Sequence, residues 1–350
     1  MCIVFKVMMS TAGLIFSGLS IYAAYTALKK YFSDRQQRLA LLNPFASNFT
    51  PRNMDNTIVD CPNANQFSVA GVSIQQKIAR VRAKLRMDNE NTANIAVCGN
   101  SGTGKFNDSD SKNSRSMCFL TVGKSTFINC IRGLPDVEMK HGFIHIEDGP
   151  APVGIMDTTM EPMKYRWPQN TVPCVTLWDL PVVRSMASVN TDYFEEQGLY
   201  AFDCLLLLRA GRFTQFDLLI CNRAHQYKIP VVLVITKGDQ DVESNRKIKR
   251  RQLGRQLTAE EDEQVISKTK AMLKENATAE LSAIRSRSTN TLVEIPPIFV
   301  VAPQSYRDQL NGVLDLGGCP PLETTQLTEH FLTAIVNYRS QTTGDNDKTN

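Results

Sequence analysis

From residue 94 onward, short apolar runs alternate with segments of helical periodicity. The runs are Ile95–Cys98, Val175–Trp178, Cys204–Leu208, Val231–Ile235 and Ile298–Val301. Each is apolar at consecutive positions, so each must be covered on both faces. Such strands separated by helices predict an α/β domain with a predominantly parallel sheet and helices on both faces. Between the fourth and fifth runs, Thr258-Ala-Glu-Glu261 predicts a capping box that opens a long helix ending near Ile284. A last helix is expected over Leu327–Tyr338, with a disordered polar tail at 341–350.

The upstream pattern is different. Val7 to Leu28 carries no charged side chain. As a helix it would be about 33 Å long, against about 30 Å for a hydrocarbon core. Only Lys6 precedes it, whereas Lys29, Lys30, Arg35 and Arg38 follow. That asymmetry predicts an N-terminal transmembrane helix, a single pass with the remainder facing the cytosol. Ser10, Thr11, Gly13, Ser17, Gly18, Ser20 and Thr26 dilute the run, so a buried or interfacial helix competes with the span.

The expected layout is an anchor at 1–30, a tether at 31–67, a basic amphipathic helix at 68–92 and the α/β domain at 93–340. The basic helix sets Ile74, Ile78, Val81 and Leu85 against Lys77, Arg80, Arg82, Lys84 and Arg86. That pattern fits packing on the next domain or contact with anionic lipid.

Composition narrows the partners. Thirty-nine basic against 35 acidic residues give +4, too balanced to imply nucleic acid. The nine cysteines form no CxxC pair and no Cys/His grid, which argues against a disulfide framework or a zinc module.

The chemistry begins where the first strand ends. Gly99-Asn100-Ser101-Gly102-Thr103-Gly104-Lys105 is a G-x-x-x-x-G-K, in which backbone amides converge on phosphate and the lysine reaches the β/γ oxygens. A Ser or Thr should follow the lysine and ligate Mg²⁺, but Phe106 stands there. The hydroxyls arrive at Ser125-Thr126, after a second Gly123-Lys124. Removing residues 106–124 restores an unbroken motif, and both edges of that stretch read Gly-Lys. We read it as an insert that splits the loop, consistent with a retained intron. Lys105 or Lys124 is then the phosphate-binding lysine, and Ser125 the metal ligand.

Three further segments complete the constellation. Thr236-Lys237-Gly238-Asp239 follows the fourth strand and resembles the base-reading T-K-x-D of GTPases. There a carboxylate accepts from the N1–H and exocyclic amine of guanine, so Asp239 favours GTP over ATP. Asp179 ends the second strand, where a D-x-x-G would place it on the Mg²⁺ shell; Val182 stands at the glycine position. Asp157-Thr158-Thr159 offers hydroxyls, with Thr159 the candidate for Mg²⁺ and γ-phosphate. Ala302, after the fifth strand, is the candidate backbone donor to the guanine oxygen.

Together these stretches resemble the immunity-related GTPase (IRG) family. The likeness rests on the split P-loop with Ser125-Thr-Phe-Ile-Asn129, Asp157-Thr-Thr-Met-Glu161, Leu177-Trp-Asp-Leu-Pro181 and Arg212-Phe-Thr214. It implies a dynamin-like, membrane-associated GTPase that oligomerises with nucleotide. It also implies that Asp157 helps arrange the attacking water. The expected function is Mg²⁺-dependent binding of GTP and GDP with hydrolysis of GTP. Lys105, Thr159 and Asp157 would be catalytic, and Ser125, Thr159 and Asp179 would lie around the metal. Val182 and the insert motivate an alternative, a catalytically inactive pseudo-GTPase serving as a membrane-tethered scaffold.

Overall fold

The computed structural model describes residues 22–35, 37, 74–99, 123–138, 144–154, 161–168, 174–181, 192–287, 294–313 and 318–346. Helix α1 spans residues 22–35. It is followed by α2 (Ile74–Lys84), β1 (Ala93–Cys98), α3 (Lys124–Ile131), β2 (Val137–Glu138), β3 (Pro152–Val153), β4 (Met163–Arg166) and β5 (Val175–Asp179). After α4 (Asp192–Glu196) and a short 3-10 turn come β6 (Cys204–Arg209), α5 (Gln215–Gln226), β7 (Val231–Ile235), α6 (Gly238–Leu253) and α7 (Ala259–Arg287). The chain closes with β8 (Ile298–Val300), α8 (Pro303–Leu310) and α9 (Thr324–Asn346).

Six strands form one mixed sheet in the order β4-β5-β1-β6-β7-β8. All neighbours are parallel except β4, which runs antiparallel to β5 at one edge. Successive strand residues feed opposite cores. Ile95, Val97, Leu206, Leu208, Val232 and Val234 pack against α1, α3, α8 and α9, burying Leu28, Phe127, Tyr306 and Phe331. Ala96, Cys98, Leu205, Leu207 and Leu233 face α4, α5 and α7, with Ile78 and Val81 of α2 packed alongside. Burial on both faces is why these strands are apolar at every position.

The edge strand β4 is absent from the hydrophobic pattern because only Tyr165 of its four residues is buried. The long helix α7 does begin at the expected capping box. Thr258 N–H donates to Glu261 Oε2 at 2.9 Å, and Glu261 N–H donates to Thr258 Oγ1 at 3.3 Å. Helix α9 runs past Tyr338 to Asn346, into residues that had read as a polar tail.

The expected membrane span is overturned. Among the described residues, no helix is long and apolar enough to cross a membrane. The described end of the predicted span lies in α1, where Leu28 and Phe32 are buried in the domain core. The Tyr31 hydroxyl donates to Arg339 O at 3.4 Å, and the Arg339 guanidinium lies 4.8 Å from the Phe32 ring centroid. Apolar side chains that complete a protein core are not available to lipid, and Leu28 and Phe32 are such side chains. The single-pass assignment with a cytosol-facing domain therefore falls. Residues 7–21 of the run lie outside the described residues.

One carboxylate ties the terminal helices to the sheet. Asp203, directly before β6, takes Arg339 Nη2 at 2.6 Å and Nε at 3.0 Å, and also the Asn94 amide at 2.7 Å. Arg82 of α2 approaches it at 3.9 Å. Arg339 also donates to Asn89 O at 2.9 Å and Thr92 O at 2.7 Å. Close packing seats α2 as well: a Cβ on Gly198 would lie 2.5 Å from Val81 Cγ1. The basic helix is thus docked through its apolar face onto the domain.

Candidate functional site

Ligands of open α/β sheets bind beyond the carboxyl ends of the strands, where the strand order reverses. Here the reversal is at β1, with β5 and β4 on one side and β6, β7 and β8 on the other. The carboxyl ends of β1, β5, β7 and β8 lead into Gly99, Leu180, Thr236 and Val301 respectively.

On the phosphate side, α3 opens directly at the second Gly-Lys. Gly123 takes φ 69° and ψ 40°, a left-handed conformation suited to a residue without Cβ, and its carbonyl accepts the Phe127 amide at 2.7 Å. Lys124, Ser125 and Thr126 therefore form the first turn of a helix, where free N–H groups and the helix dipole favour an anion. The Ser125 hydroxyl donates to Asp179 Oδ2 at 2.6 Å. Asp179 is 1% exposed at the end of β5, and the Cys98 thiol at the end of β1 feels both Lys124 and Asp179. Burial pushes that thiol up to about 12, so Cys98 is a packing residue and not a nucleophile.

On the other side, Thr236 is buried, and both its N–H (2.6 Å) and its hydroxyl (3.1 Å) donate to Arg209 O. Lys237 caps α6 at φ 61° and ψ 24°, a left-handed backbone uncommon for a residue with a Cβ and typical of functional loops. Gly238 permits close approach to the β8 end. A Cβ there would lie 2.7 Å from Leu322 Cδ1, 2.8 Å from Val300 Cγ1 and 3.1 Å from Val301 O. Asp239 follows in the first turn of α6, half-exposed. Burial first, and the Asp239 carboxylate second, raise the pKa of Asp241. Ala302 caps α8, and its amide donates to Pro321 O at 3.4 Å.

The structure therefore brings Ser125 and Asp179 together, with Lys124 directly before Ser125. Asn100, Ser101, Gly102, Thr103, Gly104 and Lys105 lie outside the described residues, as do Asp157, Thr158, Thr159, Val182 and residues 106–122 of the insert. Sequence reasoning missed Arg209 and Asp217, a buried ion pair beneath this rim. Their signal was an arginine closing an otherwise apolar strand and a Thr214-x-x-Asp217 capping pattern.

A serine hydroxyl and a carboxylate in contact are an all-oxygen donor pair of the kind Mg²⁺ prefers. Among the described residues, no group of three or more His, Cys, Asp or Glu side chains could hold a metal. That is compatible with a Mg²⁺ that takes most of its ligands from phosphate and water.

The sequence family described as Interferon-inducible GTPase (IIGP) matches residues 121–304, just over half of the chain. The chain belongs to this family. Among its relatives, the T-cell-specific guanine nucleotide triphosphate-binding protein 2 of Mus musculus is 33% identical over 128 residues, covering 37% of this chain and 28% of that protein. Interferon-inducible GTPase 1 of Mus musculus is 28% identical over 170 residues, covering 49% and 34%. Interferon-inducible GTPase 5 of Bos taurus is 28% identical over 174 residues, covering 49% and 31%. The chain thus spans about a third of the length of these relatives. Among solved structures, the G domain of the T. maritima FeoB iron transporter matches at 14% identity and a TM-score of 0.26, covering 71% of this chain and 99% of that one. A likeness at that score adds nothing to the family assignment.

Proposed function

We propose that this IIGP-family chain binds GTP and GDP with Mg²⁺ and hydrolyses GTP. The observation that carries the reading is the 2.6 Å hydrogen bond from Ser125 to Asp179 at the start of α3. In the proposed roles, Ser125 and Asp179 hold the metal, Lys124 meets the β/γ oxygens, and the α3 amides cradle phosphate. When bound, Mg²⁺ would neutralise charge on those oxygens. Asp239 reads the guanine edge from a loop held by Thr236 and Gly238. Thr159 and Asp157 remain the proposed γ-phosphate and water-positioning groups. Phosphoryl transfer needs chiefly positioning and charge stabilisation, so the lack of an obvious general base is no obstacle.

The family resemblance extends this proposal to nucleotide-dependent self-assembly and to peripheral association with a membrane. Val182, at a position where GTPases carry glycine, favours the second reading of a pseudo-GTPase scaffold that binds without turnover.

The test is GTP and GDP affinity and GTP turnover, with and without Mg²⁺, for the full chain and for the chain lacking residues 106–124, in which Lys105 stands before Ser125 in place of Lys124. Mg²⁺-dependent binding with turnover supports the enzyme. Tight binding without turnover supports the scaffold, and absence of binding by both forms overturns the nucleotide reading.

A further inference from the structure

Thr236 opens the proposed base-reading loop, yet its two hydrogen bonds to Arg209 O join it to a different strand. Arg209 is the last residue of β6 and pairs with Ile235 in the ladder, so its carbonyl lies where strand pairing ends. Its side chain turns inward and is only 5% exposed. There the guanidinium Nη2 meets Asp217 Oδ1, itself 2% exposed, while Nε is buried with no hydrogen-bond partner among the described residues. The other carboxylate oxygen of Asp217 accepts the Thr214 amide at 2.7 Å and the Thr214 hydroxyl at 2.8 Å, closing the capping box of α5. A single carboxylate therefore fixes the end of β6 to the first turn of α5, and the carbonyl so fixed receives both donors of Thr236.

We propose that Arg209 is a positioning residue for base recognition: held by Asp217, it sets the Thr236–Asp239 loop against the guanine edge. This rests on the guanine-nucleotide reading above. A buried cation that loses its ion-pair partner must move towards water or draw water in. Either response shifts the strand end and, with it, the anchor of Thr236. The effect should appear in discrimination among bases more than in contacts to phosphate, because Ser125 and Lys124 belong to a different element.

The experiment compares GTP with ITP, which lacks the 2-amino group that Asp239 would accept from, using the full chain with Mg²⁺. The wild type should prefer GTP by about tenfold or more, the scale of one hydrogen bond to a charged group. Asp217→Asn should lose most of that preference, and Arg209→Lys, which keeps a cation within reach of Asp217, should retain more of it. The double variant Arg209→Met/Asp217→Leu replaces the buried pair with apolar groups, an exchange that commonly preserves folding. It also loses the α5 cap, so it should melt somewhat below the wild type, and its folded fraction should still lose the preference. A merely structural role would reduce the folded fraction but leave the GTP-to-ITP ratio of the folded protein unchanged. Unchanged ratios in both Asp217→Asn and the double variant overturn the proposal. A wild type that binds no guanine nucleotide overturns the functional reading beneath it.

Discussion

The Ser125 hydroxyl donates to the Asp179 carboxylate across 2.6 Å, although the two residues belong to different elements and lie far apart in sequence. The contact joins the first turn of α3 to the end of β5. It gives the proposed metal site two oxygen donors already in register.

Ser125→Ala should therefore weaken GDP binding in Mg²⁺ by roughly tenfold to a hundredfold, the scale of one interaction with a charged group. Binding in the presence of a chelator should change far less. Titrations with and without Mg²⁺ check this, and an equal loss in both would count against a metal role.

Asp239→Asn exchanges an acceptor pair for an amide that can donate. Guanine offers two donors at this edge, whereas xanthine carries a carbonyl at C2. The variant should lose GTP affinity by about tenfold or more while gaining affinity for xanthosine triphosphate. Competition between the two nucleotides reads the result, and a parallel loss of both would remove Asp239 from the base site.

Gly238→Ala tests packing. Its Cβ would collide with Val300 Cγ1 at 2.8 Å and with the Val301 carbonyl at 3.1 Å, a backbone atom that yields little. The expected loss of stability is about 1–3 kcal/mol, typical of overpacking. Urea unfolding of the full chain measures it.

Arg339→Ala would take the close cation from the Asp203 carboxylate, which is 2% exposed, and leave it the Asn94 amide at 2.7 Å and the more distant Arg82 at 3.9 Å. Breaking a buried pair from one side should cost about 3–5 kcal/mol. Because α1, α2 and α9 meet here, hydrogen exchange should rise in all three helices. Arg339→Met with Asp203→Leu should recover part of the stability and no more, because the Asn94 amide loses its acceptor and the Asn89 and Thr92 carbonyls lose the Arg339 donors.

The α7 cap supplies a pH dependence. The hydrogen bond from Arg255, followed by that from the Thr258 amide, holds the Glu261 carboxyl at about 2, below its ordinary 4.5. The folded value is the lower one, so the contribution is complete above 4.5 and fades as pH falls towards 2. Glu261→Gln should flatten the thermal midpoint against pH across this window. An unaltered acid limb would show that the cap does not matter for stability.

The candidate nucleotide-site motifs are legible as patterns because each depends on residue type next to a strand end. Val231–Ile235 followed by Thr236-Lys-Gly-Asp239 is recognisable without coordinates, since a doubly covered strand is apolar throughout and a base reader needs a carboxylate after it. The partnership of Arg209 with Asp217 was not legible. The same two letters on an exposed helix would be ordinary solvated charges, and only their joint burial makes them a brace. β4 was missed for a related reason: an edge strand with one buried side chain leaves no periodic trace.

The N-terminal segment shows the same division most plainly. Local composition determined that the apolar side chains of Leu28 and Phe32 gain by leaving water, because the hydrophobic effect acts on apolar area whatever covers it. Hydropathy cannot distinguish lipid from a protein core as the cover. The tertiary structure decided it, by placing both side chains against the sheet and stacking Arg339 over Phe32. Likewise, the letters alone set Lys124 directly before Ser125 and leave Phe106 after Lys105. Only the fold brings that serine to Asp179, because a helix start and a strand end must converge before a hydroxyl and a carboxylate can share one hydrogen bond.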